Sequence, residues 1–129
     1  MAMTRVGRTV LSVTVAAGIL IVGYLAWELI LSSGATEGDV PDASRIELPA
    51  GSEVVGEDRG CASGGCWLTL TVRPPAGQSA EDLASEIGAT PQLEISGNVF
   101  DPRTVWAWAE PAAGVLSLRV DYWSQRYVP

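Results

Sequence analysis

Residues Thr104–Trp123 read TVWAWAEPAAGVLSLRVDYW, two alternating runs separated by a turn. Alternation with period two is the signature of a half-buried β-strand, and the Pro and Gly of Glu110–Gly114 mark a reversal between the runs. With a four-residue loop, Pro111–Gly114, Glu110 faces Val115, so Ala109 pairs with Leu116, Ala107 with Leu118 and Val105 with Val120. That face is wholly apolar. The other face receives Trp106 opposite Arg119, Trp108 opposite Ser117, and Trp123 at its end.

Upstream, Trp67–Arg73 (WLTLTVR) repeats the pattern. Leu68, Leu70 and Val72 extend the aliphatic face, while Trp67, Thr69, Thr71 and Arg73 join the tryptophans, and Pro74-Pro75 stops the strand. A short strand is expected near Glu53–Gly56, followed by a Gly-rich loop that carries both cysteines. Ser79–Ile87 reads as a helix, with Ser79 as N-cap, Glu81 and Asp82 in the first turn, and Gly88 at the C-terminus. Leu83 and Ile87, at i and i+4, can cover the aliphatic face. Leu93–Ile95 has the composition of a further short strand. The expectation is an α+β domain of two layers: an antiparallel sheet of about four strands in the order β-β-α-β-β, with one helix on a face.

Before this domain stands a different kind of sequence. Thr9–Trp27 is 19 residues without a charge, and the apolar run continues to Leu31. Val10–Leu31 as a helix covers roughly 33 Å, enough for a hydrocarbon core of about 30 Å. Tyr24 and Trp27 sit near one end, as interfacial aromatics do, and Glu28 follows at headgroup depth. Arg5 and Arg8 precede the run; Glu37, Asp39 and Asp42 follow it. This asymmetry predicts a cytoplasmic tip at 1–9, an uncleaved signal anchor at 10–31, a flexible acidic linker at 32–44 and an extracytoplasmic domain at 45–129. The rival is a cleaved signal peptide, for which Ser32–Ala35 offers small residues. The run is longer than the usual 7–15 residues of such a segment.

Composition limits the chemistry. The chain has 129 residues, eight Arg, no Lys, no His and 15 acids, a net charge of −7. A surface this acidic repels phosphate backbones, which argues against nucleic acid as a partner. Without His, the Ser-His-Asp and Cys-His arrangements and His metal sites are excluded. Arg without Lys in a chain rich in Ala, Gly and Val has the look of a high-GC bacterial genome.

Two features stand out. Cys61 and Cys66, separated by Ala-Ser-Gly-Gly, are expected to form a structural disulfide outside the cytoplasm. The alternative, a redox pair, has neither Cys-x-x-Cys spacing nor a helix N-terminus to stabilise a thiolate, and only Arg59 lies near. The other feature is the face bearing Trp67, Trp106, Trp108, Arg119 and Trp123, since Trp and Arg are enriched at interface hot spots. Stacking of Arg119 on Trp106 would stiffen it. The opposing reading is that this face is core, covered by Arg45–Val55 or shifted by a loop of odd length.

The remaining acids carry less. Asp101-Pro-Arg103 reads as a turn, and Glu94, Glu110 and Asp121 form no general acid/base pair. Glu53, Glu57 and Asp58 lack the spacing of a calcium loop and read as a solvated face. No catalytic set, cofactor motif or metal site is visible. The expected function is that of a non-catalytic accessory or assembly subunit, single-pass in the plasma membrane, that binds a membrane or envelope protein. A cell-wall glycan-binding module is the alternative from another class, and a thiol-disulfide oxidoreductase a third.

Overall fold

The computed structural model of the protein describes Thr4–Pro129. A long helix, α1 (Arg5–Glu37), leads into a 3-10 turn at Ala43–Arg45. There follow β1 (Glu53–Ala62), β2 (Gly65–Arg73), α2 (Ala80–Glu86), β3 (Gln92–Ile95), β4 (Val105–Ala112) and β5 (Val115–Asp121). The five strands form one antiparallel sheet in the order β1-β2-β5-β4-β3. The α+β architecture stands as expected: the short strand expected at Leu93–Ile95 forms as β3 at the edge beside β4, and the sheet has five strands where about four were expected.

The aliphatic face assembles as its alternation dictates. Leu68, Leu70, Val72, Val105, Ala107, Leu116, Leu118 and Val120 are all buried, together with Ala80, Leu83 and Ala84 of α2. Ser79 caps α2, its Oγ accepting from the Asp82 amide at 3.0 Å. Gly88 leaves the helix at φ +78°, which only glycine adopts without strain. Ile46 is buried beside α2, with Val40, Ala43 and Leu48 packed against the same cluster. The segment after α1 therefore covers the aliphatic face, and it does not cover the tryptophans.

Three local expectations are corrected. The β4–β5 turn has two residues, Ala113-Gly114, because Ala112 pairs with Val115. Gly114 supplies the positive φ (+79°) that so tight a reversal needs. Pairing consequently slips by two residues, which keeps every side chain on its expected face but sets Arg119 opposite Trp108 and Asp121 opposite Trp106. The Gly-rich cysteine loop is likewise a tight hairpin: β1 continues to Ala62, and Cys61 and Cys66 are direct cross-strand partners. As an edge strand, β1 tolerates the charges of Glu57, Asp58 and Arg59, and its bulge between Val54 and Gly56 discourages further pairing.

The third correction concerns residues 32–44, read from sequence as a flexible linker. Helix α1 runs through the first six of them, and Pro41 is fully buried. Small, polar residues continue the helix here because its C-terminal carbonyls find partners. Gly38, at φ +138°, turns the chain so that the Gly38 and Asp39 amides both donate to the Gly34 carbonyl. Arg59 of β1 donates to the Gly38 carbonyl, and Arg103 to that of Leu31 at 3.2 Å. The buried Ala35 lies against Gly65 of β2. Helix and sheet are thus docked rather than joined by a loose tether. Residues Arg5–Ala35 are long and apolar enough to cross a membrane.

A disulfide joins Cys61 to Cys66. Because it closes a loop of six residues, its removal should cost about 2 kcal/mol by the loop-entropy relation. We expect the paired Cys61→Ala, Cys66→Ala variant to fold in detergent with a lower denaturation midpoint, read by near-ultraviolet circular dichroism against the unreduced parent.

Candidate functional site

The face of the sheet opposite α2 carries the tryptophans, all four half-buried. Two are locked by glycines. Trp67 lies across Gly60, its cross-strand partner, where a Cβ would meet the indole at 2.5 Å. Trp123, just beyond β5, lies over Gly64 and Gly65 and donates from Nε1 to the Cys66 carbonyl at 2.9 Å. Between them stands Arg119, its guanidinium 4.0 Å from the centre of the Trp67 ring and 5.6 Å from that of Trp123. The stack expected on Trp106 forms on Trp67 and Trp123 instead: the two-residue slip takes Trp106 out of register with Arg119, which pairs with Thr69 on β2, one same-face position from Trp67. A guanidinium between indole faces is held by electrostatic attraction to both rings and loses few rotamers on binding.

Asp121 sets the position of Trp123. It is fully buried, and its Oδ1 accepts from the amides of Trp123 (3.2 Å) and Ser124 (2.7 Å) while Oδ2 accepts from Ser124 Oγ (2.8 Å). The carboxylate thus works as a turn cap. Beyond it the C-terminal segment returns over β3 and β4. Gln92 bonds the backbone of Gln125 and Tyr127, Arg126 grips both carboxylate oxygens of Glu94 at 2.9 Å, and Tyr127 meets Trp108 edge to face at 6.3 Å. Nothing in the alternation of Ser124–Pro129 announces this return; the signal lies in Asp121, whose turn chemistry redirects the chain.

Trp108, Glu110, Arg119, Trp123 and Ser124 together line a shallow open cleft of about 340 Å³. It offers aromatic faces, one carboxylate, one guanidinium and a hydroxyl. A larger hollow of about 470 Å³ opens between α2 and β3, lined by Arg45, Glu47, Leu93 and Ser96 among others, and has no aromatic wall. Of the residues singled out from sequence, Trp108, Arg119 and Trp123 meet at the cleft. Trp67 backs it through Arg119, and Trp106 lies farther along β4, between Glu94 and Asp121.

The disulfide lies at the hairpin end of the sheet, one position from Trp67 and so on the opposite face, beside Gly38, with Cys66 buried and Cys61 exposed. Arg59, the one cation near it in sequence, is engaged by the Gly38 carbonyl. Glu53 of the acidic cluster pairs with Arg73 at 2.6 Å. Among the described residues no group of three or more His, Cys, Asp or Glu is placed to hold a metal ion.

A second polar centre was hidden in the sequence. Arg103, only 12% exposed, pairs with Asp101 and Asp39, each at 2.8 Å, and lies 4.0 Å over the Tyr122 ring. Gly34 makes room for Asp39, since a Cβ there would collide with its carboxylate. The Arg103 guanidinium holds the Asp101 carboxyl below the ordinary aspartate range, while burial pushes the Tyr122 phenol up. A lowered folded-state pKa means that stabilisation from Asp101 is complete above the ordinary aspartate value, about 3.9, and is lost as pH falls through the lower folded value. Hydrogen-exchange protection at 97–103 should therefore hold from neutrality to about pH 4 and decline only in stronger acid. In Asp101→Asn, protection should be weaker at neutrality and that acid step should shrink.

No family model matches the chain, and no curated protein or solved structure is similar to it at a significant level.

Proposed function

We propose that the protein is a membrane-anchored, non-catalytic accessory or assembly subunit. Its sheet would bind another membrane or envelope protein outside the cytoplasm. The observation that carries this reading is the Trp67–Arg119–Trp123 stack beside Trp108, a rigid aromatic face on the side of the sheet away from the core. Preorganised Trp and Arg are the groups that dominate interface energetics. Arg5 and Arg8 before the apolar run, against acids after it, support a cytoplasmic N-terminus and an uncleaved signal anchor in a bacterial plasma membrane. Anchoring confines the face near a membrane partner and raises its effective concentration.

The test is purification of the tagged full-length chain in mild detergent, followed by mass spectrometry. A stoichiometric membrane or envelope protein is expected with the parent. It should be lost in Trp108→Ala while the denaturation midpoint changes little, because Trp108 packs on Tyr127 rather than in the aliphatic core. A chain that emerges alone at monomer mass overturns the reading.

The cleft favours one second reading, a module that stacks on cell-wall sugars. Trp108 and Trp123 would supply apolar ring faces, and Glu110 and Arg119 would bond hydroxyls. Soluble peptidoglycan fragments should then alter tryptophan emission in the parent and not in Trp123→Ala.

A further inference from the structure

The two most exposed large apolar side chains of the sheet domain outside its C-terminal segment belong to one loop: Val99 is 71% exposed and Phe100 83%. The loop is built to present them. Asn98 Oδ1 accepts from the amides of Phe100 (2.9 Å) and Asp101 (3.0 Å), and the Asn98 amide donates to the Asp101 carbonyl at 2.8 Å. Gly97 presses against the backbone of Asp101 and Pro102, where a Cβ has no room. The apex is therefore a tight turn with two apolar side chains pointing away from the core.

Its position against α1 tells what they meet. Trp27 Nε1 donates to the Phe100 carbonyl at 2.7 Å. Arg103 donates to the Leu31 carbonyl, at the end of the apolar run, and pairs there with Asp39 and Asp101. Trp27 is one helical turn, roughly 6 Å, nearer the middle of the run than Leu31, and helical side chains lean toward the N-terminus. So the charged cluster stands level with the end of the run, and Phe100 stands a turn below it, beside Trp27 on a stretch of helix whose apolar side chains are largely exposed. If α1 spans a bilayer, the same lipid layer that surrounds Trp27 reaches Phe100.

We propose that Val99 and Phe100 insert into the lipid leaflet around the C-terminal end of the apolar run of α1, forming a second membrane contact that fixes the orientation of the sheet domain. The occupant is lipid, because the patch is continuous with the apolar surface of α1 and the Arg103–Asp39–Asp101 cluster lies on its far side, which leaves Glu28, next to Trp27 on α1, as the charge at the depth of the apex. Arg103 can keep its charge at headgroup depth while the apex sits in the acyl boundary, a division that interfacial segments share. The proposal rests on α1 as a membrane span, and its test separates the two.

The full-length chain, native disulfide intact, is reconstituted in phosphatidylcholine–phosphatidylglycerol vesicles with an environment-sensitive fluorophore on one introduced cysteine. Phe100→Cys and Val99→Cys report the loop, Val15→Cys the helix middle, and Ala113→Cys the far end of β4. Lipids carrying a nitroxide at shallow or deep positions serve as quenchers. The expected result is blue-shifted emission from both loop labels, lost mainly to shallow nitroxides, with deep quenching at Val15→Cys and none at Ala113→Cys. Loop labels that behave like Ala113→Cys, with Val15→Cys still quenched, overturn the insertion alone. Blue-shifted loop labels that no lipid nitroxide quenches also overturn it, since a protein surface then covers the apex. An unquenched Val15→Cys overturns the span and this proposal together.

Discussion

Leu83→Ala should lower the stability of the sheet domain by about 2–5 kcal/mol, the range for deleting a fully buried leucine side chain. Leu83 is wholly inaccessible, and α2 has only seven residues. A helix that short has no independent stability, so it stays on the sheet by what it buries. Ala80 and Ala84 are its other buried residues, and both are small. Leu83 is thus the one fully buried large apolar group of α2 in the core cluster with Leu70, Leu118 and Val105, and only half-buried Ile87 at the C-cap packs beside it. A sheet of this size with one covering helix has little reserve. Denaturant titration of the full chain in detergent, followed by near-ultraviolet circular dichroism, should give a midpoint well below the parent's. An unchanged midpoint would mean that Ile46 and its neighbours cover the core without α2.

How far the sequence discloses this molecule depends on what each feature requires. Alternation was enough to sort side chains between faces, because a strand has only two, and a two-residue slip leaves the sorting intact. It could not give register, which here depends on Gly114 and a tight turn. The Trp face was legible as a face. The partner of Arg119 was not, since that follows from register and from Trp123 folding back over Gly65.

Residues 32–44 show a different limit. Their composition is that of a linker, and by local propensity they would be one. They are ordered because Arg59 and Arg103, remote in sequence, reach the end of α1. Val99 and Phe100 carry no signal in the sequence for a related reason. Two apolar residues in a turn have no periodicity, and only their placement beside Trp27 gives them meaning.

Gly65→Ala is expected to be the most damaging single substitution on the Trp face. Two independent costs meet there. Its φ is +130°, where a Cβ strains the backbone, and that Cβ would lie 2.8 Å from Trp123 Cδ1 and 3.0 Å from Nε1. Strain of this kind costs roughly 1–3 kcal/mol and forced overpacking a similar amount, so about 2–6 kcal/mol is expected in sum. Two other glycines isolate the parts. Gly114 has a positive φ with open space around it, so Gly114→Ala should show the backbone cost alone. Gly60 has no positive φ, and its Cβ would press on the Trp67 ring, so Gly60→Ala should show the packing cost alone. If the costs are independent, the midpoint shift for Gly65→Ala approaches the sum of the other two. Tryptophan emission adds a second readout: it should change in Gly65→Ala and Gly60→Ala, which displace indoles, and stay as in the parent in Gly114→Ala. A Gly65→Ala chain with unaltered stability and emission would show that Trp123 has another place to go, and the rigid stack on which partner binding is argued would lose its basis.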